Sequence, residues 1–283
     1  MNIAMTAATG KVGTAILAAA GARKLAIRAL VREPSRLKGP ASATARFDFA
    51  DRATHAPALA SVDTLILISP STPEQVLQES AVIDAARAAG VRHVIRLSGA
   101  GAEHGGNRFS DQHRAVESHL RESGLHATIL RATFFMENAL GSAAPIAAGT
   151  YPAPLGNARL GQIAVADIAA AALAVAVASE AQRATYTLTG PAAYTGEEIA
   201  SALSEAAGHP VRYFDVPEGA FRQNLVAAKL DPFTIEGLVE AFRLVRAGGS
   251  AAITEDVLRI TGKKPLGFAE WAHAQRAAFR APA

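Results

Sequence analysis

Short, continuous apolar runs alternate with Ala-rich stretches of helical period along the first half of the chain. Asn2–Thr6, Leu25–Val31, Thr64–Ser69, Val91–Leu97 and His126–Leu130 read as strands, with Ala45–Phe49 as a further one. Runs such as Leu65-Ile66-Leu67-Ile68, with no polar alternation, suit parallel strands covered on both faces. Between them Lys11–Ala20, Pro73–Ala89 and Asp111–Glu122 read as helices, the last two closed by Gly90 and by Ser123-Gly124. Strands alternating with helices predict βαβ units, hence an α/β fold with a doubly wound parallel sheet. From Gly141 to Gly161 glycine and proline recur and the pattern loosens. Asp167–Ser179 then reads as a helix and Thr185–Thr189 as a last strand. The remainder is mainly helical: Gly196–Ala207, Glu218–Lys229, Phe233–Arg246, Thr254–Gly262 and Phe268–Phe279. No internal repeat or low-complexity linker divides the 283 residues, so residues 1–283 form one expected unit. Its core spans approximately 1–140, and a smaller, mainly helical C-terminal lobe with late sheet elements spans approximately 141–283.

Composition narrows the function classes. Half of the residues are hydrophobic and 19% are charged, enough for a large buried core. The net charge of +3 is dispersed, with no Lys/Arg run to track a nucleic-acid backbone. There is no cysteine, which excludes disulfides, thiolate metal ligands and a Cys nucleophile, and fits a reducing cytosol. The start, MNIAMTAATG, lacks a basic n-region and a long apolar stretch. The most apolar stretch, Ile163–Ala178, is interrupted by Asp167 and reads as a buried helix, so a cytoplasmic protein without membrane contact is expected. The histidines are dispersed and suggest no metal site, and no Gly-x-Ser-x-Gly nucleophile elbow is present.

The segment with the clearest chemistry is Ile3-Ala4-Met5-Thr6-Ala7-Ala8-Thr9-Gly10-Lys11-Val12-Gly13. A strand runs into a tight turn and then into a helix, which aims free backbone N–H groups and the helix dipole at a pyrophosphate. Gly10 and Gly13 fill the second and third places of a dinucleotide-binding fingerprint, and Ala7 fills the first. This marks a Rossmann-type domain beginning at the first residue. Thr6, Ala7, Thr9, Gly10, Lys11, Val12 and Gly13 are the expected contacts. Arg32 ends the second strand, where an arginine accommodates the extra phosphate of NADP. Arg36 and Lys38 lie close enough in sequence to help, so NADPH is favoured over NADH. Asp48, after the third strand, suits the adenine amino group or a turn. Ser69, Ser98 and His113 complete the expected cofactor set.

These residues carry a resemblance that covers nearly the whole chain. The sequence resembles the NmrA-like, NAD(P)H-binding group of atypical short-chain dehydrogenases/reductases. TAATGKVG is similar to that group's TGATGxxG turn, and RALVREP, VRHVIRLSGAGA, SGLHATILRATFFMEN and ITGKKPLGFAEWA are similar to its later segments. The resemblance implies a Rossmann-type sheet with a C-terminal substrate lobe. It also implies either an oxidoreductase, like the quinone and triphenylmethane dye reductases of the group, or a non-catalytic redox sensor acting through a protein partner. Aligned on Glu117–Arg121 and the following Ser-Gly-Leu, Phe109 falls where short-chain dehydrogenases carry their Tyr, and His113 where they carry Lys. A phenylalanine transfers no proton, so the expected acceptor is small and conjugated, such as a quinone, and needs little acid help. His113 and Ser98 are the catalytic candidates, since an unperturbed imidazole titrates near 6.5. Surface or packing roles for His113, and strand termination for Ser98, remain alternatives, as does a mobile loop for His104. Phe109, Phe134, Phe135, Met136 and Asn138 are the substrate-binding candidates, with core packing the alternative for the aromatics. An Ala-rich surface helix would suit a homodimer.

Overall fold

The computed structural model of the protein describes residues 1–37, 40–178 and 183–280, and the backbone but not the side chain of Arg36. Lys38 lies outside the described residues. The first elements are β1 (Ile3–Met5), α1 (Lys11–Ala22), β2 (Ile27–Val31), β3 (Ala43–Arg46), α2 (His55–Leu59) and β4 (Thr64–Leu67). α3 (Gln75–Ala88), β5 (His93–Gly99), α4 (Arg108–Glu122), β6 (His126–Ala132), β7 (Phe134–Phe135), α5 (Ala143–Ala147) and β8 (Thr150–Ala153) follow. Next come β9 (Leu160–Ile163), α6 (Val165–Ala176), β10 (Ala184–Leu188), β11 (Ala193–Tyr194), α7 (Gly196–Ala207) and β12 (Arg212–Asp215). The chain ends in α8 (Glu218–Ala227), α9 (Pro232–Arg246), α10 (Asp256–Thr261), α11 (Phe268–Ala274) and α12 (Arg276–Phe279).

The chain divides into two compact units. The first comprises residues 1–105, 109–132 and 165–187. Its seven-stranded sheet has the order β10-β6-β5-β4-β1-β2-β3. β1 pairs in parallel with both β2 and β4, and the β2–β3, β4–β5 and β5–β6 pairs are parallel as well. The chain therefore starts in the middle of the sheet, winds out to β3, and crosses back to β4 on the other side of β1. This is the doubly wound arrangement, with its switch point between β1 and β4, where such sheets bind ligands at the strands' carboxyl ends. All four residues of β4 are buried, as its unbroken apolar run requires. On α3 the buried positions are Gln75, Glu79, Val82, Ile83 and Ala86, one stripe at helical spacing. On α4 they include Val116, Glu117 and Leu120.

The second unit comprises residues 106–108, 133–164 and 188–283. It holds a three-stranded sheet, β11-β9-β7, and a two-stranded one, β12-β8. Its core gathers Ile146, Leu155, Ile199, Leu203, Phe268, Trp271 and Phe279 around these short strands. Local signals start its helices: Thr195 and Glu198 form a reciprocal capping box on α7, and Asp231 caps α9 with Pro232 at the first helical position. Where the sequence reads one helix over Phe268–Phe279, the chain breaks at Gln275 into α11 and α12. Among the described residues no helix is long and apolar enough to cross a membrane, and no three His, Cys, Asp or Glu side chains gather to hold a metal ion.

Candidate functional site

The turn between β1 and α1 has the geometry its glycines predict. Gly10 donates its N–H to the Ala7 carbonyl (3.0 Å) and stands at the N-cap of α1 in extended conformation. No side chain caps that helix, so its first N–H groups keep their capacity for a ligand. A Cβ on Gly13 would lie 2.3 Å from the Ala7 oxygen and 2.8 Å from the Ala8 Cα, so only glycine lets the first helical turn close on the strand end. Ala7, in the first glycine's place, sits at φ +49°, the left-handed region that an alanine adopts at a cost. The Thr6 hydroxyl donates to the Ile68 carbonyl (2.7 Å) and accepts from the Ile68 N–H (2.9 Å), tying the tips of β1 and β4 together at the switch point. Thr9, Gly10 and Lys11 are exposed, and Val12 is buried.

The ends of the neighbouring strands carry the other polar candidates. Arg32 follows β2 directly and is exposed. Arg36 ends a short 3-10 turn, Pro34–Arg36, and its side chain lies outside what the structure describes. Asp48 is built into a turn: one carboxylate oxygen accepts from Ala50 N–H (3.0 Å), and its carbonyl faces His55 Nε2 (3.0 Å). Ser69, just after β4, donates to Glu79 (2.7 Å) and accepts from Gln75 (3.2 Å).

Behind Ser69 runs a buried polar network in which Gln75, Glu79 and Arg96, absent from the candidates named by sequence, join Ser69 to His113. Arg96 in β5 and Glu79 in α3 form a wholly buried bidentate pair, Nε to Oε2 at 2.8 Å and Nη2 to Oε1 at 3.0 Å. Burial alone would raise the Glu79 carboxyl, but the Arg96 guanidinium, with Ser69 and Gln75, holds it below the usual carboxylate range. The same Arg96 Nη2 lies 3.1 Å from His113 Nδ1 on α4. Desolvation, then the adjacent guanidinium, push His113 down to about 4, so its half-buried ring is neutral near pH 7. Its Nε2 edge lies over Gly99, whose Cβ, were it present, would meet Cδ2 at 2.8 Å and Nε2 at 3.1 Å.

One turn on, Glu117 organises a second cluster. It accepts from Ser98 Oγ (2.7 Å), from Arg131 through Nε (3.0 Å) and Nη2 (2.6 Å), and from Arg121 (2.9 Å). Burial would raise the Glu117 carboxyl, yet these donors, Arg131 foremost, hold it low. The Ser98 hydroxyl is therefore buried with its proton engaged by Glu117. The helix period explains the grouping: His113, Val116, Glu117 and Leu120 fall on one face of α4 and meet the Arg96/Ser98 face of β5. His104 is exposed beside Glu103.

Phe109 is half-buried on α4 in the first unit. The remaining substrate candidates lie in the second unit. Phe134 and Phe135 form β7, paired in parallel with Gln162 and Ile163 of β9, and both are half-buried. The Phe134 ring is 5.4 Å from that of Phe242, which Phe221 meets edge-on at 5.2 Å. Met136 is wholly buried in that unit's core, and Asn138 is exposed.

Residues 1–265 match the NmrA-like family. An NAD(P)H azoreductase of Xenophilus azovorans is 31% identical over 288 residues, spanning 99% of this chain and 99% of that protein. The structure of an NADPH-dependent quinone oxidoreductase of Escherichia coli, complexed with NADPH, has a TM-score of 0.87 at 28% identity, covering 96% of this chain and 99% of that one. A triphenylmethane reductase of Citrobacter sp. complexed with NADP(H) shares the fold, with a TM-score of 0.87 at 24% identity, covering 97% of this chain and 100% of that one.

Proposed function

Because the chain belongs to the NmrA-like family, we propose that it is an NADP(H)-binding oxidoreductase that reduces a small conjugated acceptor, such as a quinone. The observation that carries this reading is the β1–α1 turn: an uncapped helix N-terminus closed on the strand by Gly13, with Arg32 exposed at the end of the adjacent strand. Similarity to the azoreductase and the quinone oxidoreductase supports the reaction class.

The N–H groups at the uncapped start of α1 bind the pyrophosphate. The Arg32 guanidinium binds the 2′-phosphate and so prefers NADP over NAD. Asp48, one of whose oxygens stays with Ala50, offers its other oxygen to the adenine amino group. When bound, NADPH supplies the hydride. Phe109 and His113 hold the places of the Tyr and Lys of ordinary short-chain dehydrogenases, so no phenol donates a proton and the acceptor is one that stabilises its own charge. His113, whose Nε2 edge lies over Gly99 at the carboxyl end of β5, is the polar group assigned to the acceptor. Ser98 serves by fixing Glu117 against β5. Within the second unit, the half-buried Phe134 and Phe135 and the exposed Asn138 remain the candidates for substrate binding.

Calorimetric titration with NADPH and NADH, on the native chain and on Arg32→Ala, tests the cofactor assignment. The substitution is expected to weaken NADPH binding by about ten- to a hundredfold, from the roughly 1.5–3 kcal/mol of a charge-assisted contact, and to leave NADH unchanged. Equal binding of both cofactors, indifferent to the substitution, would sink the NADP reading. Loss of NADPH absorbance with a panel of quinones tests turnover. Tight binding with no consumption would favour a redox sensor instead.

A further inference from the structure

The Glu79–Arg96 pair is a costly way to fill the interior between α3 and β5. Both side chains are almost fully inaccessible, and Arg96 Nη1 is buried with no hydrogen-bond partner. Buried ion pairs seldom stabilise more than apolar side chains of the same volume, and an orphaned guanidinium nitrogen adds to the cost. Stability alone does not account for the pair, and its geometry suggests another role. One hydrogen of Nη2 goes to Glu79, and the other is directed at His113 Nδ1. A guanidinium has no acceptor to offer, so it makes Nδ1 the accepting nitrogen of the ring. The ring proton must then reside on Nε2, the edge that lies over Gly99 at the carboxyl end of β5.

We propose that Glu79 and Arg96 are positioning residues that lock His113 as a neutral Nε2–H donor, presented at the carboxyl end of β5 to the oxygen of the acceptor. This rests on the reductase reading above and specifies how its site treats the substrate. His113 donates a hydrogen bond to the oxygen on which charge collects and keeps its own proton. The proton that completes the reduced acceptor comes from water. The groups facing His113 agree with this assignment. Arg96 approaches from β5. Glu79, from α3, is already engaged by Arg96, Ser69 and Gln75, and Glu117, one turn along α4, by Ser98, Arg121 and Arg131. Neither carboxylate is left over to recruit an imidazolium. Gly99, without a Cβ, makes room for the Nε2 edge at the end of the strand.

The test is the long-range 1H–15N spectrum of histidine-labelled protein, with and without NADPH, between about pH 8 and 4.5. His113 is expected to show Nε2–H with an accepting Nδ1, and to stay neutral down to about pH 5, well below the ordinary imidazole range near 6.5. In the double variant Glu79→Met, Arg96→Met, which removes both charges together, the tautomers should mix, while burial, the first cause of the lowered pKa, still keeps the ring neutral near pH 7. Quinone reduction should then slow, because only part of the population presents Nε2–H to the acceptor. A native His113 that titrates near 6.5, or that carries its proton on Nδ1, overturns the proposal without any variant. So does a folded double variant with an unchanged tautomer. The spectrum does not depend on turnover. Failure to reduce any quinone would therefore overturn the reductase reading and leave the tautomer lock measurable, while turnover with the wrong tautomer would overturn the lock alone.

Discussion

Ala7 occupies a backbone position that suits glycine. At φ +49° its Cβ crowds the following carbonyl, a penalty of about 1–2 kcal/mol for an L residue. Glycine there would remove the penalty but lose more conformational entropy on folding, so the net gain of Ala7→Gly is expected to be about 0.5–1 kcal/mol. Urea denaturation should show a raised midpoint with an unchanged slope, and NADPH affinity should not fall. A lowered midpoint would mean that the half-buried methyl contributes more by packing than it costs in the backbone. The strand, turn and helix were all readable from IAMTAATGKVG, but the sign of φ at Ala7 was not. That sign follows from the closing bond between Gly10 N–H and the Ala7 carbonyl, and from the approach of Gly13, which are matters of three-dimensional closure.

At the scale of elements, the doubly wound sheet was legible because its central strands are mostly apolar runs and its helices have a clear buried stripe. The site was legible only in part. The polar residues that organise it sit where the pattern expects apolar ones: Arg96 inside the run Val94-Ile95-Arg96-Leu97, and Gln75 and Glu79 on the buried stripe of α3. A charge at a core position is itself a signal, and it was present in the sequence. What pairs with it was not, because the contact between α3 and β5 is set by the packing of a helix on its sheet. The same holds for Ser98, a catalytic and cofactor candidate by sequence with strand termination as the alternative, whose hydroxyl is engaged by Glu117. The five short strands of the second unit escaped because two to four residues are too few to show a period. The buried pair carries a stability prediction. Glu79→Ala leaves Arg96 charged in the interior without its carboxylate and should cost about 3–5 kcal/mol, whereas the double Met variant should cost far less. Urea midpoints of the two variants decide this. Equal losses would show that packing volume, and not the uncompensated charge, dominates.

For the whole molecule these buried groups set how stability depends on pH. His93, at the start of β5, meets Thr128 at 2.9 Å. Burial, with His126 beside it, pushes His93 down to about 4, and His113 is likewise lowered to about 4. In the unfolded chain both titrate near 6.5. Between those values the unfolded state takes up protons that the folded state refuses, so stability is complete above about pH 6.5 and is lost as pH falls from there through 4. Over such a span each histidine contributes on the order of a few kcal/mol. The carboxylates act lower down. Glu79 and Glu117 are held below their ordinary range, so their stabilisation is present above about 4.5 and disappears as pH falls below it. Acid unfolding should therefore proceed in two stages, with histidines before carboxylates, and His93→Gln should flatten the first stage while leaving the second in place. Far-ultraviolet circular dichroism in urea at a series of pH values is the suitable measurement, because the single tryptophan, Trp271, reports only on the second unit. A midpoint that stays level from about pH 7 to 5 would mean that both imidazoles charge freely in the native state, and the desolvated interior described for β5 would have to be abandoned.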